Sequence, residues 1–196
     1  MSDSLYLSLW FPSFEAHEML PHAVAVLAQF PFSHQRPGVT YLALHPVSWS
    51  EPTILERRFQ PGVTPLEAME AAHELLHEDY AYVFTVYWDL WTPAAPGQWH
   101  LQPAAVKVMV QGPEFEDRTA EETGHIEVDF GLDTPFLQEE FALQEDDGLR
   151  VRSNIQKLVD FINKIERNTA ATGRLLWSES EENLAQKLIA RLQKVQ

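Results

Sequence analysis

Apolar and polar positions alternate from the start of the chain. Leu5, Leu7, Leu9 and Phe11 interleave with Tyr6, Ser8 and Trp10, a period of two that predicts a strand at least partly covered on both faces. Ser13 can cap a following helix, and Pro21 predicts a kink within residues 14–30 or two pieces, the second opening at Pro21. Val39–His45 and Thr53–Phe59 read as strands separated by the turn region Pro46–Pro52. Thr64-Pro65-Leu66-Glu67 is a helix start: threonine at the cap, proline at the first helical position, and glutamate three residues on to close a capping box. Leu66, Met69, His73 and Leu76 then repeat at helical spacing and predict the inward stripe. Tyr80–Trp91 is apolar and aromatic on both faces and reads as a central strand.

Residues 4–91 therefore read strand, helix, strand, strand, helix, strand. That is the order of the ferredoxin-like βαββαβ unit, an antiparallel four-stranded sheet with two helices on one face. Beyond it, Gln98–Leu101 predicts a hairpin that sets Trp99 near Trp88 or Trp91. Ala105–Val110 and Gly124–Phe130 read as strands, the latter with Ile126, Val128 and Phe130 inward and His125, Glu127 and Asp129 outward. Residues 136–143 fit either a short strand or a helical turn, and Asp146-Asp147-Gly148 reads as a turn. Ser153 with Gln156 predicts a capped helix whose stripe is Ile155, Leu158, Val159, Ile162 and Ile165. Arg174–Trp177 predicts a short strand, and Ser178 with Glu181 a last helix lined by Leu184, Leu188, Ile189 and Leu192. The expected fold is one α+β body over residues 1–196, with sub-units 1–101 and 104–196 sharing or extending one antiparallel sheet.

Composition narrows the functional classes. The chain has 196 residues, 45% of them hydrophobic and none of them cysteine. Disulfides, thiolate zinc sites and cysteine nucleophiles are excluded. The first residues lack a basic region and meet Pro12, unlike a secretory signal, and no apolar run reaches the roughly 18 residues of a membrane span. A soluble, cytoplasmic protein is expected. The net charge is −15 and unevenly laid out: residues 1–149 hold 24 of 29 acids and 5 of 14 bases, whereas residues 150–196 hold 5 acids and 9 bases. Between Glu114 and Asp147, 13 acids face one base, Arg118. Such a field repels nucleic acid and anionic membranes and favours a basic protein partner, or the basic C-terminal segment of another copy in a homo-oligomer.

One catalytic pattern occurs. His73-Glu74-Leu75-Leu76-His77 is literally H-E-x-x-H, which in zincin metallopeptidases puts two imidazoles one turn apart on a helix to bind zinc, with the glutamate as general base. The resemblance covers five residues: His73 and His77 would be metal ligands and Glu74 the catalytic base. Against it, Glu78 and Asp79 follow at once, no third ligand is evident in the usual place, and the beginning of a strand at Tyr80 leaves the helix little room. His125, Glu127 and Asp129 share a strand face and form a second, weaker metal candidate. Serine-nucleophile signatures, a P-loop and G-x-G-x-x-G are absent, neither acidic run fits an EF-hand loop, and no run of bases interleaved with aromatics points to nucleic acid. The resulting expectation is a non-enzymatic acidic α+β protein that works by protein binding, similar in general character to the immunity proteins that neutralise basic toxins. The alternative is a zinc-dependent hydrolase.

Overall fold

The period-two segments all become strands of a single sheet. The computed structural model describes residues 3–95, 98–137, 145–179, 184–185 and 188. Its seven strands are β1 (Ser4–Trp10), β2 (Val39–Pro46), β3 (Leu55–Arg58), β4 (Tyr80–Ala95), β5 (Gln98–Gln111), β6 (Ile126–Leu132) and β7 (Gly173–Ser178). Five helices accompany them among the described residues: α1 (Ala16–Leu27), α2 (Pro65–His73), α3 (Ala120–Thr123), α4 (Thr134–Leu137) and α5 (Glu145–Asn168). None is long and apolar enough to cross a membrane.

The sheet order is β3-β2-β4-β5-β6-β1-β7, and every adjacent pair is antiparallel. This corrects the ferredoxin-like expectation. The predicted order of elements is present, but β1 to β4 do not form a four-stranded sheet of their own. β4 runs directly into a long hairpin with β5, Ala81 opposite Gln111 and Pro93 opposite Trp99, so β5 takes the edge of β4 that faces β1. β6 follows on β5, and β1 closes on β6 and β7 instead. α1 carries the chain back over the intervening strands to β2. The same hairpin sets Trp99 opposite Pro93, on the same face as Trp91 and diagonal to it, rather than near Trp88.

One face of the sheet carries the core. Leu5, Leu7 and Leu9 of β1, Leu42 and Leu44 of β2, Tyr82, Phe84, Val86 and Trp88 of β4, and Val106, Val108 and Val110 of β5 are buried. Ile126, Val128 and Phe130 of β6 join them, as the alternation predicts. Against this face pack Met19, Leu20, Ala23, Val26 and Leu27 of α1, Ala68 and Ala72 of α2, and Ile155, Leu158, Phe161 and Ile165 of α5. Leu184 and Leu188 are also buried in it; the rest of the expected last helix lies outside the described residues, as do residues 138–144.

Three helices differ from expectation. α1 runs unbroken through Pro21, capped at Glu15 by a capping box with Glu18 rather than at Ser13, whose hydroxyl donates to Glu18. α5 begins at Glu145, so Ser153 is interior and Asp146-Asp147-Gly148 forms its opening turns instead of a separate turn. In α2 the Thr64 capping box with Pro65 is present as expected. Its buried side is made by Ala68 and Ala72, however, while Leu66 and His73 are exposed. Small alanines let the helix sit close to the sheet, and of the expected stripe Met69 and Leu76 do pack, partly buried, against the core.

The outer edge of β4 shows how α5 is attached. β2 pairs with β4 only as far as Val39 opposite Val86. Beyond that point side chains and a loop replace the missing strand. Ser33 N–H donates to Tyr87 O at 2.7 Å, the Lys157 ammonium donates to Asp89 O, and the Asn154 amide exchanges two bonds with Trp91, N–H to Oδ1 at 2.9 Å and Nδ2 to O at 2.8 Å. Buried backbone groups require such partners, and an edge filled in this way offers no template for another strand.

Candidate functional site

The H-E-x-x-H segment straddles a helix end. α2 stops at His73, Glu74 is its C-cap, and His77 lies beyond it. The two imidazoles therefore do not stand one turn apart on a continuing helix, which is the geometry zinc ligation by this spacing needs. Both side chains are exposed, and His77 Nδ1 pairs with the Asp79 carboxylate. The turn is tied down by Tyr82, whose buried hydroxyl donates to Leu75 O at 2.8 Å and accepts from His77 N–H at 3.2 Å. Burial pushes this phenol up to about 12, so it stays neutral and holds the turn at any ordinary pH.

The β6 candidates are also parted. His125 Nδ1 accepts from the Phe11 N–H at 3.0 Å, and its ring stacks on Phe14 at 4.5 Å. Burial, and then the neighbouring His22, lower its pKa, and the Nδ1 lone pair is already engaged. Glu127 instead faces Ser8 and Met109 across the strands. Burial first, then the Asp129 charge, raise its carboxyl to about 7, opposed by a hydrogen bond from Ser8. Ser8 also accepts from Trp177 Nε1 at 3.0 Å, and Trp177 stacks on Tyr6 at 4.6 Å. No group of three or more metal-ligating side chains gathers among the described residues.

The raised Glu127 has a measurable consequence. A carboxyl easier to protonate in the folded than in the unfolded chain adds stability that is full below about pH 4.5 and lost as pH rises through about 7. Glu127→Gln should remove that dependence. Relative to the variant, the wild type should lose on the order of 1 kcal/mol between pH 5 and pH 8, a figure reduced for the side chain's remaining solvent contact. Urea unfolding of both proteins at the two pH values checks this; parallel pH profiles would refute it.

Two regions remain that collect chemistry from distant parts of the sequence. The first is an acidic end of the sheet, where three loops are laced together. Val47 N–H donates to Asp79 O, Glu114 N–H to Glu78 O, and Glu116 N–H to Val47 O, at 2.8, 2.9 and 2.8 Å. Trp49 N–H donates to the Glu116 carboxylate at 2.8 Å. These loops bring together Glu51, Glu74, Glu78, Asp79, Glu114, Glu116, Asp117, Glu121 and Glu122, with Arg118 ion-paired to Glu114 and Glu121. Trp49 sits among them edge-on to Phe115 and His45, 37% exposed. Val47, Glu116, Asp117 and Arg118 all have positive φ, 62, 49, 54 and 69°. These left-handed residues without glycine are strained and persist because the surrounding bonds hold them.

The second region is a cleft of about 530 Å³ on the sheet face away from the helices, toward the other end of β2 and β4. Thr85 and Tyr87 of β4, Thr40 and Tyr41 of β2, and Arg58 of β3 line it, with Gln35 and Arg36 from one loop and Phe59 and Pro61 from another. The Arg36 guanidinium lies over the Tyr87 ring at 4.6 Å, and Arg58 stands opposite Tyr41 in register. The loop bearing Arg36 is fixed in place. Ser33 Oγ donates to Asp89 at 2.6 Å and accepts from the Gln35 and Arg36 N–H groups, and the His34 N–H donates to Asp89. Gly38, at φ 77°, lets the two loops approach; a Cβ there would lie 2.3 Å from Val63 O. Sequence reading missed this cleft because its bases are far apart in the chain. The available signal was their scarcity: Arg36 and Arg58 are two of only five bases before residue 150.

No protein-family model, curated protein or solved structure matches this chain.

Proposed function

We propose that the protein works by binding a basic protein partner through its acidic end. The observation that carries this reading is the lacing together of three segments that bear nine carboxylates, with the partly exposed Trp49 bonded to one of them, Glu116. Clustered carboxylates raise the encounter rate with a basic surface, and a tryptophan held between Phe115 and His45 has the character of a binding anchor. The hydrogen bonds between the loops hold this surface in place before binding, which limits the ordering cost. The cytosol fits this reading, since a chain without cysteine needs no oxidising compartment.

Glu74, Glu78 and Glu122 are exposed and serve as probes. Immobilised wild type should retain a basic protein from a cell extract at low ionic strength and release it at high salt. The triple variant Glu74→Lys, Glu78→Lys, Glu122→Lys should fail to retain it. Identical protein sets on both surfaces, or none on either, would end the proposal. Sedimentation at both salt concentrations separates a foreign partner from a second copy, which would appear as a salt-sensitive dimer.

A further inference from the structure

We propose that the cleft between Arg36 and Arg58 binds a small organic phosphate monoester whose body carries a planar ring. Acids outnumber Lys and Arg by 29 to 14 in this chain; Arg118, Arg150 and Arg174 each pair with a carboxylate, and Arg57 and Arg167 do not among the described residues. Arg36 and Arg58 have no carboxylate within 4.0 Å among the described residues either, and they are the two that line one cleft. The nearest acid on β3, Glu56, is engaged by the Thr53 hydroxyl and stands beside the Tyr41 hydroxyl. Lys107, one strand further on opposite Thr85, has Asp129 on its other side. Two guanidiniums thus face the cleft with their donors unspent on carboxylates.

Guanidinium forks bind oxyanions through paired N–H groups. A carboxylate has two oxygens and is served by one fork, whereas a phosphate monoester has three terminal oxygens and nearly two charges, matching two forks from separate elements. The volume of about 530 Å³ falls within the range of organic-ligand sites and exceeds the need of a bare anion. Tyr41, Phe59 and Tyr87 supply aromatic wall for the remainder. The Ser33–Asp89 anchor presets Arg36, and the cation–π contact with Tyr87 orients its guanidinium. The cleft lies toward the far end of β2 and β4 from the acidic loops, so ligand binding here and partner binding there stand or fall separately.

Phenyl phosphate is the probe, titrated by calorimetry into the full chain, with inorganic phosphate, benzoate and a phosphotyrosine peptide as parallel arms. Phenyl phosphate should bind saturably, about tenfold or more tightly than benzoate and than inorganic phosphate. Arg36→Gln and Arg58→Gln should each weaken it about tenfold or more, while thermal unfolding of both variants stays near wild type because both side chains are exposed. No saturation, or unchanged affinity in the double variant, overturns the site. Equal affinity for benzoate overturns the phosphate assignment, and equal affinity for inorganic phosphate overturns the ring. A phosphotyrosine peptide that binds more than tenfold tighter than phenyl phosphate overturns the small-molecule class in favour of a peptide surface.

Discussion

Asn154→Ala is expected to destabilise the protein by about 3–5 kcal/mol, a large share of the roughly 5–15 kcal/mol typical of a folded domain. The side chain is 1% exposed and sits on α5. Its amide accepts from Trp91 N–H and donates to both Trp91 O and Pro135 O, at 2.9, 2.8 and 3.0 Å. It thus joins α5 to β4 and to α4, where β2 no longer covers the strand edge. Alanine would leave three backbone groups desolvated and unpaired, which costs more than the net worth of the bonds themselves. Asn154→Asp should be at least as damaging, since a carboxylate would face the two carbonyl oxygens. Urea denaturation should show a lower midpoint with an unchanged slope. A loss under 1 kcal/mol for either variant would mean the clasp is redundant.

Trp88→Ala should cost about 3–5 kcal/mol by a different route. Trp88 is 0% exposed and lies among Phe30, Phe130 and Phe136, ring centroids at 5.5, 5.2 and 6.0 Å. Phe30 and Phe130 meet Phe161 of α5 in turn, so the cavity would open where sheet and helices join. Among the described residues the indole N–H meets no acceptor. Trp88→Phe, which removes that buried donor and keeps an aromatic ring, should therefore cost much less than the alanine variant. Thermal or urea unfolding of the pair decides it; equal losses would show that cavity size is not the governing quantity.

Legibility in the sequence follows the range of the interaction involved. The Thr64 cap, the inward set of β6 and the strand at β7 are written in neighbouring residues, and each is found where the pattern puts it. Ser153 offered an equally good local cap and was overridden, because α5 begins eight residues earlier and buries Val151 along with the later stripe. The pairing partners of β1 depend on which strand edges are taken first, and no residue near β1 records that. The same holds for the functional regions. H-E-x-x-H was visible because it is contiguous, yet the helix end at His73 disperses it. Arg36 with Arg58, and Trp49 with Glu116, become neighbours only through the sheet.

The place of β1 between β6 and β7 also sets a timetable. Tyr6 is opposite Asp129 on one side and Trp177 on the other. A ribosome making this chain releases β1 well before either neighbour exists, and three of its residues, Leu5, Leu7 and Leu9, end up fully inside the core. Until the second half emerges, that strand has two unpaired edges and an exposed apolar face, the combination that invites chaperone capture or aggregation. Contacts spanning most of the sequence also slow folding. The sheet is therefore completed at β1 only once β6 and β7 have both been made.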